Sequence, residues 1–258
     1  MLAISRPDYI RCRLGSGTDR DLRNHQSNLE IFYAETSALS SGYPGLKNVI
    51  SKDEALRAGR LRLDNDRETY ITCHALLRLV IAQRLKVDPK EISFMNGLNN
   101  KPYIKGDPLF FNVTHTRESF SFAISDNKFI GIDLENSDQD IEFHSVARSF
   151  FSSKECGYIF RSAEGAKNRF FVLWTRKEAL LKALGTGIID DLTNIEVSGR
   201  DNSIDWNSLG SSVPDPAIST MFLYTRKIGT HFLSIAVPQR DSIKFYHLNK
   251  KNIVSYLR

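Results

Sequence analysis

The sequence predicts an α+β protein built from two similar halves, each a long helix packed on a small antiparallel sheet. An alternating pattern that ends in an acid occurs twice, at residues 28–35 and 128–135, and a period of two is typical of half-buried strands. Each copy is followed by a Ser-x-x-Glu string and then by a long helical pattern. The repeated order of elements therefore favours two related halves that enclose a cleft, where a ligand is expected to bind.

The helices are predicted from their start signals and their apolar periodicity. Ser51 to Glu54 and Ser152 to Glu155 have the form of a capping box, in which the hydroxyl and the glutamate satisfy backbone N–H groups at a helix start. Long helices are expected at 70–85 and 170–184. They align so that His74 takes the place of Glu178 and Arg78 that of Lys182. Gly185 and Gly187 are expected to end the second helix.

The strands complete each half. Similar short strings, Ile-Ser-Phe at 92–94 and Ile-Glu-Val at 195–197, follow the two long helices. Each half is then expected to close with two strands, at 110–114 and 120–125 in the first half and at 221–225 and 232–237 in the second. The predicted organisation is a polar N-terminal extension at 1–27, an N-terminal subdomain at 28–127 and a C-terminal subdomain at 128–258.

Composition bounds the class of protein. The chain has 258 residues, 41% hydrophobic and 25% charged, which is ordinary for a soluble globular protein, and no run approaches the roughly 18 apolar residues of a membrane span. Its three cysteines have no metal-ligand spacing, so a cytoplasmic protein is expected. The net charge of +5 would attract anionic ligands and acidic proteins, but the basic residues are dispersed and no nucleic-acid motif accompanies them.

One strand and one helix carry the strongest chemical signal. In the strand, Ile130, Ile132 and Leu134 are expected to point into a core while Asp133 and Glu135 share the other face, with their Cα atoms about 7 Å apart. Glu178 and Lys182 lie one turn apart on the second long helix and share a stripe. Three carboxylates and an amine are a donor set for Mg²⁺ and phosphate. The structural alternative is a solvated strand edge beside a surface ion pair.

The order of motifs resembles the Sfp-type 4'-phosphopantetheinyl transferases. The matching strings run between residues 99 and 187, within a resemblance that extends from about residue 28 to the C-terminus. They are Asn-Lys-Pro ending at 102, Phe-Asn-Val-Thr-His at 111–115, Gly-Ile-Asp-Leu-Glu at 131–135, Phe-Ser-Ser-Lys-Glu at 151–155, and Trp-Thr-Arg-Lys-Glu-Ala-Leu-Leu-Lys-Ala-Leu-Gly-Thr-Gly at 174–187. The resemblance implies two halves related by a pseudo-twofold, with the active site in the cleft between them.

The resemblance also implies roles for nine residues. Magnesium would be held by Asp133, Glu135 and Glu178, and Lys182 and Lys101 would clamp phosphate oxygens. Thr114 and His115 would contact the phosphates of coenzyme A, with Thr114 standing where the family usually has serine. Arg57 and Arg67 fall on positions that contact the phosphate region of coenzyme A in the family, although arginines are frequent around both.

The implied activity is Mg²⁺-dependent transfer of 4'-phosphopantetheine from coenzyme A to a serine of an acidic apo carrier protein, with release of 3',5'-ADP, by a monomeric enzyme. Asp133, Glu178 and Lys182 would be its catalytic residues. Glu178 is the candidate base for the serine proton, and whether it is a metal ligand, a base or both stays open. Two other classes of function stay open as well: a non-catalytic module that binds coenzyme A or a carrier protein, and a Mg²⁺-dependent nuclease or nucleotidyl transferase.

Overall fold

The computed structural model describes residues 29–39, 44–106, 108–187, 192–199, 201–203, 220–239, 242–251 and 253. Within these ranges the protein is a mixed α+β fold with five α-helices and ten strands, which confirms the predicted fold class. The predicted extension at 1–27, and residue 28, lie outside the described residues. The pseudo-twofold and the cleft stay predictions.

The helices are α1 (Lys52–Gly59), α2 (Asp64–Leu85), α3 (Phe143–Phe150), α4 (Ser153–Phe160) and α5 (Ala166–Leu184). The strands are β1 (Leu29–Glu35), β2 (Phe94–Asn96), β3 (Pro102–Ile104), β4 (Phe110–His115), β5 (Ser119–Ser125), β6 (Gly131–Asn136), β7 (Asp201–Ser203), β8 (Thr220–Ile228), β9 (His231–Val237) and β10 (Ile243–His247).

The described chain forms two compact units. The first comprises the described residues of Met1–Met95, Tyr103–Asp126 and Asp241–Arg258, and the second those of Asn96–Pro102 and Asn127–Arg240. Each contains a four-stranded sheet, in the order β10-β1-β5-β4 in the first and β6-β9-β8-β7 in the second, while β2 and β3 pair separately. In the first unit β5 lies between β1 and β4, and in the second unit β9 lies between β6 and β8. These three strands therefore have the same order in both sheets.

The described residues of 241–258, assigned from the sequence to the C-terminal subdomain, group instead with the first unit. Strand β10 pairs in parallel with β1, with Leu29 opposite Ile243. The Tyr246 ring stacks on Phe32 with 4.8 Å between ring centroids, and its hydroxyl donates to Glu30 at 3.1 Å. Alternation alone could not select this partner strand, because a parallel pairing between chain ends leaves no turn signal between them.

Both capping boxes are confirmed. Ser51 Oγ accepts from the Glu54 N–H and the Glu54 carboxylate accepts from the Ser51 N–H at the start of α1. Ser152 and Glu155 repeat the arrangement at the start of α4. Both long helices begin earlier than predicted, α2 at Asp64 and α5 at Ala166.

The two short strings that follow the long helices differ in structure. Phe94 begins β2, whereas 195–197 is not a strand. There the chain follows a 3₁₀ turn at Leu192–Asn194. Ile195 and Val197 are buried in the core of the second unit, and the Val197 N–H donates to the Glu155 carboxylate at 2.8 Å. At 195–197 the segment is therefore held by core burial and by a side-chain acceptor, and not by hydrogen bonds to a neighbouring strand.

Candidate active site

The second unit places Asp133 and Glu135 of β6 beneath helix α5. Along β6 the alternation predicted from the sequence is correct, but both faces are buried: Ile132 is fully buried and Asp133 is 4% exposed. The Gly131, Asp133 and Glu135 face lies against α5, because Gly131 touches the α5 backbone at Ala179 and Ala183 and Lys182 reaches Asp133. The acids therefore lie under a helix and do not form a solvated strand edge.

Lys182 pairs across the elements with Asp133. Its ammonium donates to Asp133 Oδ1 at 2.7 Å, with the lysine side chain 31% exposed and the aspartate 6%. In the structural alternative drawn from the helical spacing, its ion-pair partner would be Glu178. Since a buried carboxylate needs a compensating charge, the ammonium stabilises Asp133 where it lies.

The charges of Asp133 and Lys182 also affect the pKa values of Glu178 and Glu135. Burial raises the pKa of Glu178, the negative charge of Asp133 raises it further, and the Lys182 ammonium partly offsets both. Burial and the charge of Asp133 likewise raise the pKa of Glu135, against hydrogen bonds from Gln139 and Trp174 and the charge of Lys182. These carboxyl groups hold their protons more tightly than an exposed glutamate does, as is common at functional sites.

Trp174 and Gln139 are neighbours of the acids that sequence reasoning did not place there. Gln139 Nε2 donates to Glu135 Oε2 at 2.8 Å, and the Trp174 side chain hydrogen-bonds the same carboxylate. The periodicity of α5 predicted Trp174 as a core residue, and its ring does stack on Phe170 with 5.9 Å between centroids. An indole can serve both roles because its N–H is a donor at the edge of an apolar ring.

Lys101 is held at the C-terminal end of α5. Its ammonium donates to Ala183 O at 2.9 Å and to Ile130 O at 3.2 Å, and burial lowers its pKa to about 8. Asn99, in the same segment, donates to Gly185 O at 2.8 Å. Gly185 and Gly187 have φ of 69° and 71°, so the predicted glycine termination of the helix is confirmed.

The remaining predicted site residues lie in the first unit. Thr114 is buried on β4 opposite Ser121, and His115 is exposed at the end of the same strand. Arg57 lies on α1 with its guanidinium 5.8 Å from the centroid of Tyr70. Arg67 donates to Asp64 Oδ1 at 2.7 Å and to Leu61 O at 2.9 Å near the start of α2. Their roles toward coenzyme A stay predictions.

His74 and Arg78, which align with Glu178 and Lys182, bind the capping-box acid of the first unit. Arg78 Nε donates to Glu54 Oε2 at 2.7 Å, and His74 Nδ1 lies 3.0 Å from Glu54 Oε1. Burial alone would raise the pKa of Glu54, but hydrogen bonds from His74, the Ser51 N–H and Arg78 outweigh it and lower the pKa to about 2. These contacts give His74 and Arg78 a structural role in the first unit.

Asp133, Glu135 and Glu178 are donors that suit magnesium, although the described part of the chain does not group them as a metal site. Within the described ranges, no three histidine, cysteine, aspartate or glutamate side chains are grouped so as to hold a metal ion. Asp133, Glu135 and Glu178 are nonetheless the hard oxygen donors that Mg²⁺ prefers, and the charge of Asp133 acts on both glutamates. A cation is the species that would relieve this repulsion, so the donor chemistry fits the predicted metal.

Helix α5, which carries Glu178 and Lys182, therefore covers the acids of β6. Residues 129–219 match the model of the 4'-phosphopantetheinyl transferase superfamily. That segment contains Asp133, Glu135, Glu178 and Lys182, while the other predicted site residues lie outside it.

None of the helices in the described part of the chain has an apolar stretch long enough to cross a membrane.

Three curated proteins are similar to the chain over more than half of its length. A putative 4'-phosphopantetheinyl transferase from Synechocystis sp. is 31% identical over 158 residues, which cover 59% of this chain and 63% of the relative. The 4'-phosphopantetheinyl transferase HetI from Nostoc sp. is 33% identical, covering 59% and 66%. The 4'-phosphopantetheinyl transferase psf-1 from Bacillus pumilus is 31% identical, covering 55% and 61%.

The matched part of the chain thus spans just under two thirds of the length of these relatives. Together with the family model, they confirm the resemblance predicted from the motifs.

Proposed function

We propose that the protein transfers the 4'-phosphopantetheine moiety of coenzyme A to a serine of an apo carrier protein and releases 3',5'-ADP. The observation that carries the proposal is the cluster of Asp133, Glu135, Glu178 and Lys182. It lies within the segment that matches a transferase superfamily, and it combines a base, a phosphate-binding cation and a metal donor set.

The reaction exchanges one P–O bond for another. The serine Oγ forms a bond to the β-phosphorus, which carries the pantetheine. The bond from that phosphorus to the bridging oxygen breaks, and this oxygen leaves as part of 3',5'-ADP. The serine proton goes to the Glu178 carboxylate. The raised pKa of Glu178 makes this carboxylate a stronger base than an exposed glutamate.

Lys182 is the cation placed to contact the pyrophosphate. It is half-buried, and its ammonium is fixed at 2.7 Å from Asp133, so little reorientation is required when an anion binds beside it. Asp133, Glu135 and Glu178 would hold Mg²⁺, which when bound supplies charge neutralisation to the pyrophosphate. Whether Glu178 acts as ligand, base or both is part of the proposal to be tested.

The partner is proposed to be an acidic carrier protein, because the net charge of +5 favours encounter with an anionic surface. Such steering weakens as the Debye length falls from about 10 Å at 0.1 M to about 3 Å at 1 M ionic strength. A monomeric enzyme in the cytoplasm completes the proposal. Both cysteines in the described residues are unbridged thiols, as a reducing compartment would keep them.

One experiment tests the transfer directly. The protein is incubated with coenzyme A, Mg²⁺ and a panel of apo carrier proteins, and the carriers are weighed by mass spectrometry while 3',5'-ADP is followed chromatographically. We expect one or more carriers to gain one phosphopantetheine in step with 3',5'-ADP release, and an EDTA arm to lose it. Calorimetric binding of coenzyme A without a mass gain on any carrier would support a binding module instead.

A further inference from the structure

Gly131 brings strand β6 into direct contact with the backbone of helix α5. A Cβ added at this glycine would stand 1.9 Å from Ala179 O, 2.3 Å from Ala183 N and 2.9 Å from Ala183 Cα. Atoms that are not bonded do not approach so closely. The obstacles are backbone atoms, so a larger side chain could be admitted only by moving the helix by about 1 Å, because the packed interior offers no compensating void.

The requirement for glycine here concerns space and not backbone conformation. Five described glycines have positive φ, and Gly131 is not one of them. The facing residues of α5, Ala179 and Ala183, lie one turn apart and are both small, so helix and strand approach as closely as their backbones permit.

A second contact fixes the same end of the helix. Lys101 joins β6 to α5, because its ammonium donates both to Ile130 O, next to Gly131, and to Ala183 O. The Lys101 side chain also packs along Gly185, where an added Cβ would lie 3.4 Å from Lys101 Cδ. The hydrogen bonds and the close backbone contact therefore meet within a few residues of each other.

From this fixed point the register of α5 over β6 follows. Contacts run from Gly131 with Ala179 and Ala183, through Asp133 with Lys182, to Glu135 with Trp174. Helix and strand therefore run in opposite directions. The four steps from residue 131 to residue 135 advance about 13 Å along a strand, and a helix covers a similar length in two turns, about 11 Å. A displacement at Gly131 would accordingly be felt at Asp133.

We propose that Gly131 and Lys101 are positioning residues that set the register of α5 over β6 and so place Lys182 on Asp133. The inference rests on the proposed function only in making this pair part of an active site. It gives Lys101 a role through the helix, distinct from the phosphate contact that the family resemblance implies.

A thermodynamic cycle tests the register without coenzyme A or metal. The coupling between Asp133 and Lys182 is measured from the urea unfolding of the full chain and its variants Asp133→Asn, Lys182→Met and the double substitution. The cycle is then repeated in the background of Gly131→Ala. We expect the coupling to be measurable in the wild type and lost with Gly131→Ala. Coupling retained at its wild-type value in that background would overturn the proposal.

Gly157 provides the matched control. It lies in the same unit, and a Cβ added there meets nothing within 4 Å, so Gly157→Ala makes the same chemical change without displacing a helix. The coupling should survive it. If Gly131→Ala does not fold, Lys101→Met decides, since it keeps the aliphatic stem and removes the two hydrogen bonds. Reduced coupling supports the clamp, and unchanged coupling contradicts it.

Transfer assays give the functional readout. A displacement of about 1 Å at a reacting pair lowers kcat by roughly 100-fold, so we expect kcat to fall in Gly131→Ala while KM for coenzyme A changes far less. If the wild type transfers nothing, the proposed function fails while the coupling cycle still decides the register. If transfer occurs and Gly131→Ala leaves both kcat and the coupling intact, the positioning role fails alone.

Discussion

The rows of side chains beneath the two long helices have opposite chemistry. In each unit, three residues in cross-strand register form a row across the sheet on the face covered by α2 or by α5. Under α2 the row is Phe32, Phe122 and Val113. Under α5 the row is Asp133, Ser234 and Thr225. The row under α2 is thus part of an apolar core, whereas the corresponding row under α5 consists of an acid and two hydroxyl side chains.

The second row is polar but connected. Ser234 Oγ lies 2.7 Å from Thr175 Oγ1 of α5 and 2.8 Å from Thr225 Oγ1, and Arg176 Nε donates to Thr225 at 2.9 Å. Buried polar groups are tolerated only when they find partners. The hydroxyl chain therefore satisfies Ser234 and Thr225 beneath α5.

The two units also satisfy their capping-box glutamates with different helix positions. Glu54 is bound by Arg78, whose guanidinium also donates to Pro89 O and Ile92 O. Glu155 is bound by Lys177, whose ammonium donates to Leu192 O and Ile195 O.

The two arrangements are alike, yet Lys177 lies more than a turn before Lys182, the residue that aligns with Arg78. Because Lys177 takes the structural role, Lys182 is left to face Asp133. The cation that binds the capping-box glutamate of the second unit is therefore a different residue from the cation that faces Asp133.

The largest expected effect breaks the structural half of this comparison. Lys177 and Glu155 are 1% and 0% exposed, and removing one partner of a buried pair costs about 3–5 kcal/mol. Lys177→Met should lower the free energy of unfolding by this amount in urea titrations. Lys154→Met is the control, since Lys154 is 76% exposed in its pair with Glu196 and should cost at most about 1 kcal/mol. Equal losses would mean that burial does not set the cost.

Asp133→Asn tests the functional half. The change keeps the shape of the side chain and removes the charge that Lys182 neutralises. We expect transfer to fall roughly 100- to 1,000-fold, as when one preorganised electrostatic partner is lost, with an unchanged far-UV circular dichroism spectrum. Asp138→Asn removes the same charge from an exposed position shortly after β6 and should retain activity. Near-wild-type turnover of Asp133→Asn at saturating Mg²⁺ would rule out its proposed role.

Ser234→Ala probes the hydroxyl chain. Thr175 Oγ1 keeps a bond to Phe171 O and Thr225 keeps Arg176, so the loss should be only that of ordinary hydrogen bonds, about 1 kcal/mol. Urea unfolding measures it. Ser137→Ala, which removes a single hydroxyl bond to Thr230 O, provides the comparison. A loss above about 3 kcal/mol would show that the row is more cooperative than its separate bonds indicate.

Much of the fold could be predicted because local signals dominate it. Capping boxes, glycine termination and strand alternation depend on neighbours a few residues away, and each was found where expected. The strand repeat was misaligned by one residue: matching the terminal acids sets Glu35 beside Glu135, whereas the helix-facing row makes Phe32 the counterpart of Asp133. A shift of one residue exchanges the two faces of a strand.

The partners in the site could not be predicted from spacing. Both faces of β6 are buried, so the alternation does not tell which face α5 covers. Lys182 could pair either with an acid on its own helix or with an acid on the strand below. The direction of α5 over β6 decides in favour of Asp133, and that direction depends on the contact at Gly131. The only sequence signal for the role of Gly131 is a glycine between Ile130 and Ile132 at the start of a strand, which is typical of close approach by another backbone.

The smallest expected effect on stability concerns Glu178. Replacing this carboxylate should raise stability at neutral pH but lower activity. Burial and the charge of Asp133 raise its pKa above 4.5 in the folded protein, so the ionised form is disfavoured by folding. Below pH 4.5 the side chain is protonated in both states and resembles glutamine, and no difference is expected. As the pH rises through the folded pKa, the wild type takes on the charge and loses stability that Glu178→Gln retains.

Thermal unfolding of the wild type and Glu178→Gln from pH 4 to pH 8 measures this difference. Glu178→Gln should melt above the wild type at pH 7 and together with it at pH 4, while it abolishes transfer. Glu164→Gln, on the exposed turn before α5, is the control and should show no such trend. A wild type that melts higher than Glu178→Gln at pH 7 would mean that the folded protein stabilises the charged carboxylate, and the raised pKa would then be wrong.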